Sequence, residues 1–379
     1  MHRHDEVNMK LLYCGYNGFG QCPTTRASTL PQLTEFPVTG VKEVSLAWSC
    51  MVVLTDSGVR VSGFVGGEPH QLKQLTLPDA QQPQQLSCSQ RHVLVTVPSG
   101  DCWKFCIKNS SWRRLDHFTR VERELKHEDS GADPIVRVCC GSTFDVALSE
   151  SGRAFVLPSP IYHPGVRVTQ VACGNEHCLL LTETGQVFSW GIGRYEGLCC
   201  FSRGQLGHGG LENEQEIARQ VDSLAGLHVM LVAAGGWHSS AVTECSDLYT
   251  WGWNQSGQLG FCTGKNTVRA KQEQTAGPKK LKTEYTDDVT ILSTPLPVIW
   301  PLEQEVNVKD VGCGSRHTIA LLDDGTVWGC GWNAYGQLGM SPERVPSTWK
   351  ITRIELPDGN SGVVTGIECG AWSTVVFLA

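Results

Sequence analysis

The chain of 379 residues has little charge: 18% of its residues are charged, whereas 40% are hydrophobic and 41 residues are glycine. This composition is typical of many short strands and turns rather than of long solvated helices. The formal net charge of −7 disfavours contact with a phosphate backbone unless a local basic patch supplies it. We therefore expect an all-β protein without direct, sequence-specific DNA binding.

Long hydrophobic runs are also missing. The first ten residues, MHRHDEVNMK, lack the apolar core of a signal peptide. No window approaches the roughly 18 continuous apolar residues that indicate a membrane span. We expect no membrane contact and an intracellular location, in the reducing nucleus and cytoplasm.

Motifs of metal and catalytic sites are absent. The 17 cysteines include no Cys-x-x-Cys pair, and several fall in apolar runs such as VRVCCGS, which indicates buried thiols rather than a zinc site or disulfides. There is no phosphate-binding Gly-x-x-x-x-Gly-Lys-Ser/Thr loop, no Gly-x-Ser-x-Gly elbow and no His-Glu-x-x-His helix. We predict no metal, no cofactor and no enzymatic activity.

The sequence does contain an internal repeat. One register recurs seven times, and its first positions are Ala47, Ser89, Gly141, Gly174, Gly235, Gly314 and Gly370. Eleven positions later comes a turn residue, which is Gly58, Gly100, Gly152, Gly185, Ser246 or Gly325 in the first six copies. Alternating runs such as HTIALLDDGTVWGCG lie between and after these marks, and they predict a hairpin in every copy.

The last copy ends before its turn, and residues 11–21, LLYCGYNGFGQ, match the missing half. First and last pieces that complete one unit predict a closed ring, which leaves no strand edge at the seam. We predict one all-β domain over residues 9–379, a seven-bladed β-propeller whose seventh blade joins both chain termini. Long loops are expected at 104–134 and 261–298. Tryptophan-aspartate and Kelch propellers are disfavoured, since there is no Trp-Asp pair and the Gly235-Gly236 doublet is not repeated at the other marks.

Several residues recur at fixed registers. Four histidines, each three positions after a mark, and two tryptophans before a glycine are predicted to be structural: His92, His177, His238, His317, Trp190 and Trp251. A catalytic role for the histidines is disfavoured because one register on separate blades indicates packing or hydrogen bonding.

Aromatic residues follow the Trp/Cys-Gly step in three neighbouring copies, at Tyr16, Trp253 and Trp332, each followed by an asparagine: Asn17, Asn254 and Asn333. One register on adjacent blades points to one face, so these residues are candidates for a partner-binding patch. The alternative is that each aromatic ring folds back onto its own loop.

Three segments depart from the repeat. Residues 196–203, EGLCCFSR, form an insertion that we interpret as a longer surface loop. Residues 261–290 are rich in Lys, Gln, Thr and Gly, which predicts disorder, and the cluster Lys279, Lys280 and Lys282 is interpreted as solvated, with a nuclear-import or acidic-partner contact as the alternative. Residues 108–133 carry mixed charges and are predicted to form a short helix on the rim.

The stretches GQVFSWG, GGWHS, WGWNQSGQLG and CGSRHT resemble repeats of the regulator of chromosome condensation family. The resemblance covers nearly the whole chain and is weakest between residues 60 and 135. It implies two kinds of function. The founding member is a guanine-nucleotide exchange factor for the small GTPase Ran and docks on nucleosomes through a basic N-terminal tail and a switchback loop. This chain shows no comparable basic run, so exchange on a Ran-like GTPase is the alternative.

A short member of the family is described as the partner of a Jumonji-C oxygenase in a complex associated with histone lysine demethylation and chromosome segregation. The resemblance therefore implies a non-catalytic interaction scaffold that binds a Jumonji-C domain oxygenase and supports chromatin regulation. It also implies contact with histones or chromatin.

Overall fold

Seven four-stranded antiparallel sheets make up the fold in the computed structural model of the chain. The structure describes residues 9–115, 133–157, 159–160, 165–191, 203–210, 217–261, 290–357 and 362–379. These residues form 28 strands, numbered in chain order, and one short 3₁₀ helix, Asp222–Leu224. The prediction of an all-β, seven-bladed propeller is confirmed.

The first three blades follow the repeat copies that begin at Ala47, Ser89 and Gly141. Blade 1 contains β3 to β6, which are Val41–Leu46, Cys50–Thr55, Gly58–Val65 and Glu68–Leu75. Blade 2 contains β7 to β10, which are Gln85–Cys88, His92–Thr96, Cys102–Cys106 and Ser111–Arg114. Blade 3 contains β11 to β14, which are Ile135–Cys140, Asp145–Ser149, Ala154–Val156 and Ser159–Pro160.

The other four blades have the same order of strands. Blade 4 contains β15 to β18, which are Val168–Cys173, His177–Thr182, Val187–Gly191 and Arg219–Gln220. Blade 5 contains β19 to β22, which are Val229–Ala234, His238–Thr243, Leu248–Trp253 and Ile291–Pro297. Blade 6 contains β23 to β26, which are Val308–Cys313, His317–Leu322, Val327–Trp332 and Ser347–Ile354. Blade 7 contains β27, β28, β1 and β2, which are Val364–Cys369, Ser373–Leu378, Lys10–Tyr16 and Thr29–Phe36.

Burial explains why the second strand of every blade is a continuous apolar or small-residue run. Every residue of β4, β16, β20 and β24 is buried, because these strands are covered by the neighbouring blades on both faces. The first strands line a central channel, and β23, for example, buries Val308 and Val311 while its other four residues are exposed or partly exposed. The core therefore lies between blades rather than within one layer.

The ring closes in blade 7, as the sequence predicts. Strand β1 pairs antiparallel with β28, and Leu11 lies opposite Phe377 while Tyr13 lies opposite Val375. Leu11, Tyr13 and Val375 are fully buried, so the seam is as well packed as a junction inside the chain. Closure removes the free strand edges that an open array would expose.

Parts of the expected loops are strands. In the range 104–134, β9 continues to Cys106, and β10 consists of Ser111–Arg114. The helix predicted over 108–133 is therefore wrong at the four residues of β10. In the range 261–298, Ile291–Pro297 is β22. Both corrections have one physical cause: β10 and β22 are outer strands, and their half-exposed sequences carry a weak apolar alternation. Residues 116–132 and 262–289, which include the lysine cluster, lie outside the described residues, and the boundaries 9–379 stay a prediction.

Two other sequence expectations concern cysteines and membrane contact. Every cysteine within the described ranges is a free thiol, and Cys245 is the one that is exposed among them. In the part of the chain that the structure describes, no helix has the length and apolarity needed to cross a membrane.

Candidate protein-interaction face

The turns between the first and second strands of all blades lie on one side of the ring, which we call the top face. Residues of these turns, among them Trp48, Asn175, Trp237 and Trp372, line the mouth of the central channel, whose volume is about 630 Å³. The third strand of each blade runs towards the same side, since it is antiparallel to the second. The top face therefore collects side chains from two registers of every repeat.

Three of the repeated histidines connect neighbouring blades. The Nε2 atom of each ring forms a hydrogen bond with a side-chain hydroxyl of the next blade: His177 with Ser239 at 2.9 Å, His238 with Thr318 at 2.9 Å and His317 with Thr374 at 3.1 Å. Each hydroxyl in turn donates to the backbone carbonyl oxygen of a glutamine in the histidine's own blade: Gln205 at 2.9 Å, Gln258 at 2.7 Å and Gln337 at 2.7 Å. We call these three chains of hydrogen bonds the histidine relays.

The relays fix the protonation of the rings. A hydroxyl that gives its only proton to a carbonyl must accept from the histidine, so Nε2 carries hydrogen in the relays. Burial lowers the pKa of His177 and His317 to about 4 and that of His238 to about 3, which keeps the rings neutral. The geometry gives these three histidines a structural use and no exposed acid–base function.

Glycine at the first position of a repeat makes room for the relay histidine. A Cβ on Gly235 would come 2.3 Å from His238 Cε1 and 2.4 Å from the carbonyl oxygen of Gly314 in the next blade. The same contact with the histidine exists at Gly174 and Gly314. The glycine and the histidine three positions later are therefore one structural unit.

His92 in blade 2 has different partners. Its Nε2 lies 2.8 Å from Asp145 Oδ1 in blade 3, and Lys104 Nζ lies 3.2 Å from Asp145 Oδ2. Burial alone would raise the pKa of Asp145, but the bonds from His92 and Lys104 hold it below its ordinary value. Donor atoms of His92, Cys140 and Asp145 lie within 4.8 Å of one another, as metal ligands could. Because Lys104 already neutralises the carboxylate, this group is better described as an ion pair between blades.

The two repeated tryptophans occupy different environments. Trp251 is fully buried, and its Nε1 donates to the Gln205 carbonyl oxygen at 2.8 Å, which joins blade 5 to blade 4. Trp190 is half-buried and packs edge-on against Phe144 of blade 3, with 4.9 Å between ring centroids. Both lie at blade junctions.

The register of Tyr16, Trp253 and Trp332 contains a fourth aromatic residue that sequence reasoning missed. Phe64 of blade 1 donates its backbone N–H to Ser49 at 2.8 Å, just as Trp253 donates to Trp237 at 2.8 Å. The signal was present, since a glycine with φ between +105° and +114° precedes each of the four aromatics, at Gly15, Gly63, Gly252 and Gly331. Such a φ favours glycine, so the pattern Gly-aromatic marks the end of the third strand.

Ring contacts connect Trp332, Tyr16 and Phe64 across blades 6, 7 and 1, and Arg316 lies over both Trp332 and Trp253 and so links blade 5 to them. The rings in contact, which we call the aromatic arc, are Trp237, Trp253, Trp332, Trp372, Tyr335, Tyr16, Phe19, Phe64 and Trp48. Tyr335 lies 5.2 Å from Trp332 and 4.9 Å from Tyr16, so it bridges blades 6 and 7. Trp48 and Phe64 are 42% and 40% exposed, which is unusual for large apolar side chains.

The three asparagines that we placed on the partner-binding patch are buried, and this part of the expectation is wrong. Asn254 and Asn333 are completely inaccessible, and Asn17 is 3% exposed. The Asn333 side-chain oxygen accepts the backbone N–H of Leu338 at 2.8 Å, and Asn17 does the same for Cys22 at 2.7 Å. Side chains that hold their own turns in this way are unavailable to a partner.

The aromatic members differ in access. Trp253 is only 8% exposed because it packs between neighbouring side chains, whereas Tyr16 and Trp332 are half-buried. The alternative that the rings fold back onto the protein therefore describes Trp253 better than the other two. The arc as a whole still borders open solvent at Trp48 and Phe64.

Blades 2, 3 and 4 present polar residues at the equivalent turns. Their side chains include Arg91, Thr143 and Glu176 at the position before the histidine register. Ser142 Oγ donates to the Asn175 side chain at 2.8 Å, and Thr143 Oγ1 donates to the Asn175 carbonyl oxygen at 3.0 Å. The top face is thus aromatic on one side of the channel and polar on the other.

Comparisons with known proteins agree with the repeat register. Residues 184–242, 246–321 and 324–377 match the regulator of chromosome condensation (RCC1) repeat, and a second description of this repeat matches residues 168–196 and 308–337. RCC1 domain-containing protein 1 of Homo sapiens is 39% identical over 280 residues, which cover 68% of this chain and 72% of that protein. The ultraviolet-B receptor UVR8 of Arabidopsis thaliana is 30% identical over 313 residues, which cover 69% of this chain and 68% of the receptor.

A solved structure supports the fold. Prp20p of Saccharomyces cerevisiae, which was studied together with its binding to Gsp1p and histones, has a TM-score of 0.71 and 16% sequence identity to this chain. The alignment covers 98% of this chain and 92% of Prp20p. At this identity the likeness concerns the fold alone. The repeat register, the closed ring of seven blades and the curated relatives together show that the chain belongs to the regulator of chromosome condensation (RCC1) repeat family.

Proposed function

We propose that the chain is a non-catalytic interaction scaffold that binds a protein partner through its aromatic arc. The observation that carries this proposal is the arc itself, which places nine rings on one half of the top face. Seven of them are in continuous contact from Trp332 to Trp48, and Arg316 connects the Trp237–Trp253 pair to these seven. Partly exposed Trp, Tyr and Phe side chains are enriched where proteins bind one another. The buried histidine relays, in contrast, offer no group that could act on a substrate.

The partner that we propose is a Jumonji-C domain oxygenase acting as a histone demethylase, as the resemblance of the repeats implies. The complex would support chromatin regulation and chromosome segregation, in the nucleus as well as the cytoplasm, with histones or chromatin as further contacts. A ring held by relays between blades suits this use, because a rigid surface loses little conformational entropy on binding.

Co-precipitation with the full-length oxygenase tests the proposal. Phe64→Ala and Trp332→Ala should each weaken binding about thirtyfold, since large aromatics at an interface commonly contribute about 2 kcal/mol. Matched controls lie off the arc: Trp112→Ala on the outer strand of blade 2 and Ile299→Ala, whose side chain is 60% exposed. Melting temperatures of all four variants identify any loss that comes from unfolding.

Two outcomes would contradict the proposal. If both arc variants bind as wild type does, or if Trp112→Ala loses binding equally, the arc is not the interface. Release of a fluorescent nucleotide from Ran tests the exchange-factor alternative, and we expect no acceleration at micromolar protein. A rise of about a hundredfold, equivalent to roughly 2.7 kcal/mol in the barrier, would favour exchange activity instead.

A further inference from the structure

Two arginines are inserted between the tryptophans at one end of the aromatic arc. Arg203 precedes the Gly-Gln turn of blade 4, and its Cζ lies 4.1 Å from the ring centre of Trp237 and 4.4 Å from that of Trp253. Arg316 precedes His317 of blade 6, and its Cζ lies 4.6 Å from Trp253 and 5.7 Å from Trp332. Trp253 therefore contacts both guanidinium groups. We call Arg203, Trp253 and Arg316 the arginine clamp.

The clamp arginines lack acidic partners. Some other described arginines form ion pairs, such as Arg114 with Asp101 at 2.7 Å and Arg153 with Asp133 at 2.8 Å. Neither Arg203 nor Arg316 pairs with a carboxylate in the described part of the chain. Arg203 Nη1 and Arg316 Nε are buried without any hydrogen-bond partner. Buried donors of this kind normally find acceptors, so the clamp is chemically incomplete.

The two cations also repel one another. Partial burial, followed by the charge of Arg203, lowers the pKa of Arg316 below its ordinary value. Stacking on the indole rings offsets part of the cost of holding two cations together, and it fixes the planes of the guanidinium groups. The N–H edges of the guanidinium groups remain the atoms that an incoming acceptor could reach. Both arginines are half-buried, so an anionic ligand at their accessible edges would supply the missing counter-charge.

We propose that the arginine clamp binds two carboxylates of an acidic peptide segment in a partner protein. This inference rests on the proposed function, because it assigns a chemistry to one end of the same interface. A guanidinium group matches a carboxylate through two parallel hydrogen bonds, and stacked arginines keep that fork in place. The flanking rings of the arc would accept apolar side chains next to the acidic residues.

Charge favours a peptide over a nucleic acid. A phosphate backbone is bound by rows of cations, whereas the clamp offers two, in a chain whose formal net charge is −7. Both guanidinium groups lie within 4.6 Å of one ring centre, so the two carboxylates must be close neighbours. Side chains two residues apart on an extended segment project to the same side, about 7 Å from one another. The pattern expected in the partner is therefore two acidic residues separated by one residue.

An array of synthetic 12-residue peptides tests the clamp. The peptides place Asp or Glu at varied spacings among Leu, Phe and Ser, and matched copies carry Asn or Gln instead. The full chain should select the acidic peptides, with the strongest signal at the spacing of two. Arg203→Gln and Arg316→Gln should each weaken binding of the selected peptide about tenfold, as expected for a hydrogen bond between charged groups. Arg316→Lys, which keeps the charge but loses the fork, should fall between.

Arg91→Gln is the matched control, since Arg91 occupies the register of Arg316 in blade 2 but is exposed on the polar side. It should bind the peptide as wild type does. The inference is overturned if acidic peptides are not selected, if Arg91→Gln loses as much as the clamp variants, or if a 12-residue single-stranded DNA binds in place of the peptides. Sedimentation velocity tests whether a second copy of the chain occupies the clamp instead of an acidic peptide. Self-association that disappears in Arg316→Gln would show that it does, and would overturn the inference.

Competition separates this inference from the proposed function. If the chain binds the oxygenase and an excess of the selected peptide displaces it, both hold. If acidic peptides bind in the predicted way but the oxygenase does not bind at all, the clamp stands and the proposed partner is wrong. If the oxygenase binds through the arc while Arg203→Gln and Arg316→Gln bind it as wild type does, the clamp is wrong and the proposed function stands.

Discussion

Blades 4 to 7 and blades 1 to 3 form the same sheets with different chemistry at their junctions. The three histidine relays join blades 4, 5, 6 and 7, and the family repeat matches residues 168–242, 246–321 and 324–377, all within these blades. Between blades 2 and 3, His92 instead meets the ion pair of Asp145 and Lys104. Strand pattern and closure therefore define the ring, while the relay is one of several ways to join two blades.

A second device is common to both parts of the ring. The carboxylate of Glu43 in blade 1 accepts the backbone N–H of Leu86 at 2.8 Å, and the side-chain oxygen of Gln85 accepts that of Val138 at 2.7 Å. In blade 4, Gln170 accepts the N–H of Val232 at 3.1 Å. These bonds join first strands around the channel, where backbone groups would otherwise have no partner. Blades without a relay are therefore still held together by polar contacts.

The aromatic arc does not follow the boundary between these two parts. It covers blades 5, 6 and 7 but also blade 1, where Phe64 and Trp48 are its most exposed members. Blade 4 has a regular relay yet shows Asn175 and Glu176 on the top face. The surface of the ring therefore varies independently of the way in which its blades are joined.

The largest loss of stability is expected in blade 7, where β1 from the beginning of the chain pairs with β28 from its end. Deleting residues 370–379 removes β28 and exposes the edges of β1 and β27, so we expect aggregation or a chain that does not fold. Size-exclusion chromatography and thermal melting measure this. A matched pair of substitutions gives the control: Val375→Asp at a fully buried seam position should also unfold the ring, whereas Val363→Asp, 66% exposed, should not. A truncated chain that remains monomeric and melts unchanged would show that the seam is dispensable.

A smaller effect is expected from one methyl group at a relay. Gly235→Ala places a Cβ against His238 and the backbone of the next blade, and overpacking of this kind should lower the free energy of unfolding by about 3 kcal/mol. Gly165→Ala is the control, since its Cβ would meet nothing within 4 Å. Chemical denaturation measures both variants. Equal stability of the two would mean that the relay junction can move apart at little cost, as the Ser89 position in blade 2 already accommodates a side chain.

The smallest effect is the pH dependence of stability that the buried relay histidine His317 contributes. Burial holds the pKa of His317 at about 4, below its value in the unfolded chain, so the unfolded state binds more protons in the window between. Stability contributed by this ring is therefore present above about pH 6.5 and lost as the pH falls towards 4. Between pH 6.5 and 5 the loss amounts to about 1.6 kcal/mol.

Denaturation of His317→Gln at several pH values isolates that contribution. The variant should lose about 1.6 kcal/mol less than wild type over this range. Channel carboxyls act in the opposite direction: burial raises the pKa of Glu368 and Asp310, so their contribution weakens as the pH rises. Because both proteins contain these carboxyls, their contribution cancels, and the difference reports His317 together with its effect on the pKa of His238. Identical slopes would indicate that the ring is accessible to protons in the folded state.

The fold could be predicted from sequence because each of its determinants is local. The strands of a blade are adjacent in the chain, the turn residue stands at a constant distance, and Ser246 adopts φ +64° where five other copies have glycine. The outer strands β10 and β22 were missed because half-exposed strands carry a weak apolar alternation. Phe64 was missed because blade 1 has no Trp or Cys before its glycine, although Gly63 has the same backbone conformation.

The site could be predicted only in part, because burial at a turn depends on side chains from other blades. The sequence indicated an aromatic register on neighbouring blades but could not show that Asn254 and Asn333 turn inward to hold their own loops. It could not pair His92 with Asp145, which is 53 residues away, or show that this histidine departs from the relay.

By itself the sequence determined the number of blades, the strands of each hairpin and the blade in which the ring closes, because these follow from spacing and hydrophobic pattern along the chain. Only the tertiary structure decided which repeated side chains meet. Arg203 and Arg316 come from blades 4 and 6 and reach the same indole of blade 5. Such contacts arise because ring closure brings neighbouring turns to one face, and this proximity cannot be predicted from distance along the chain.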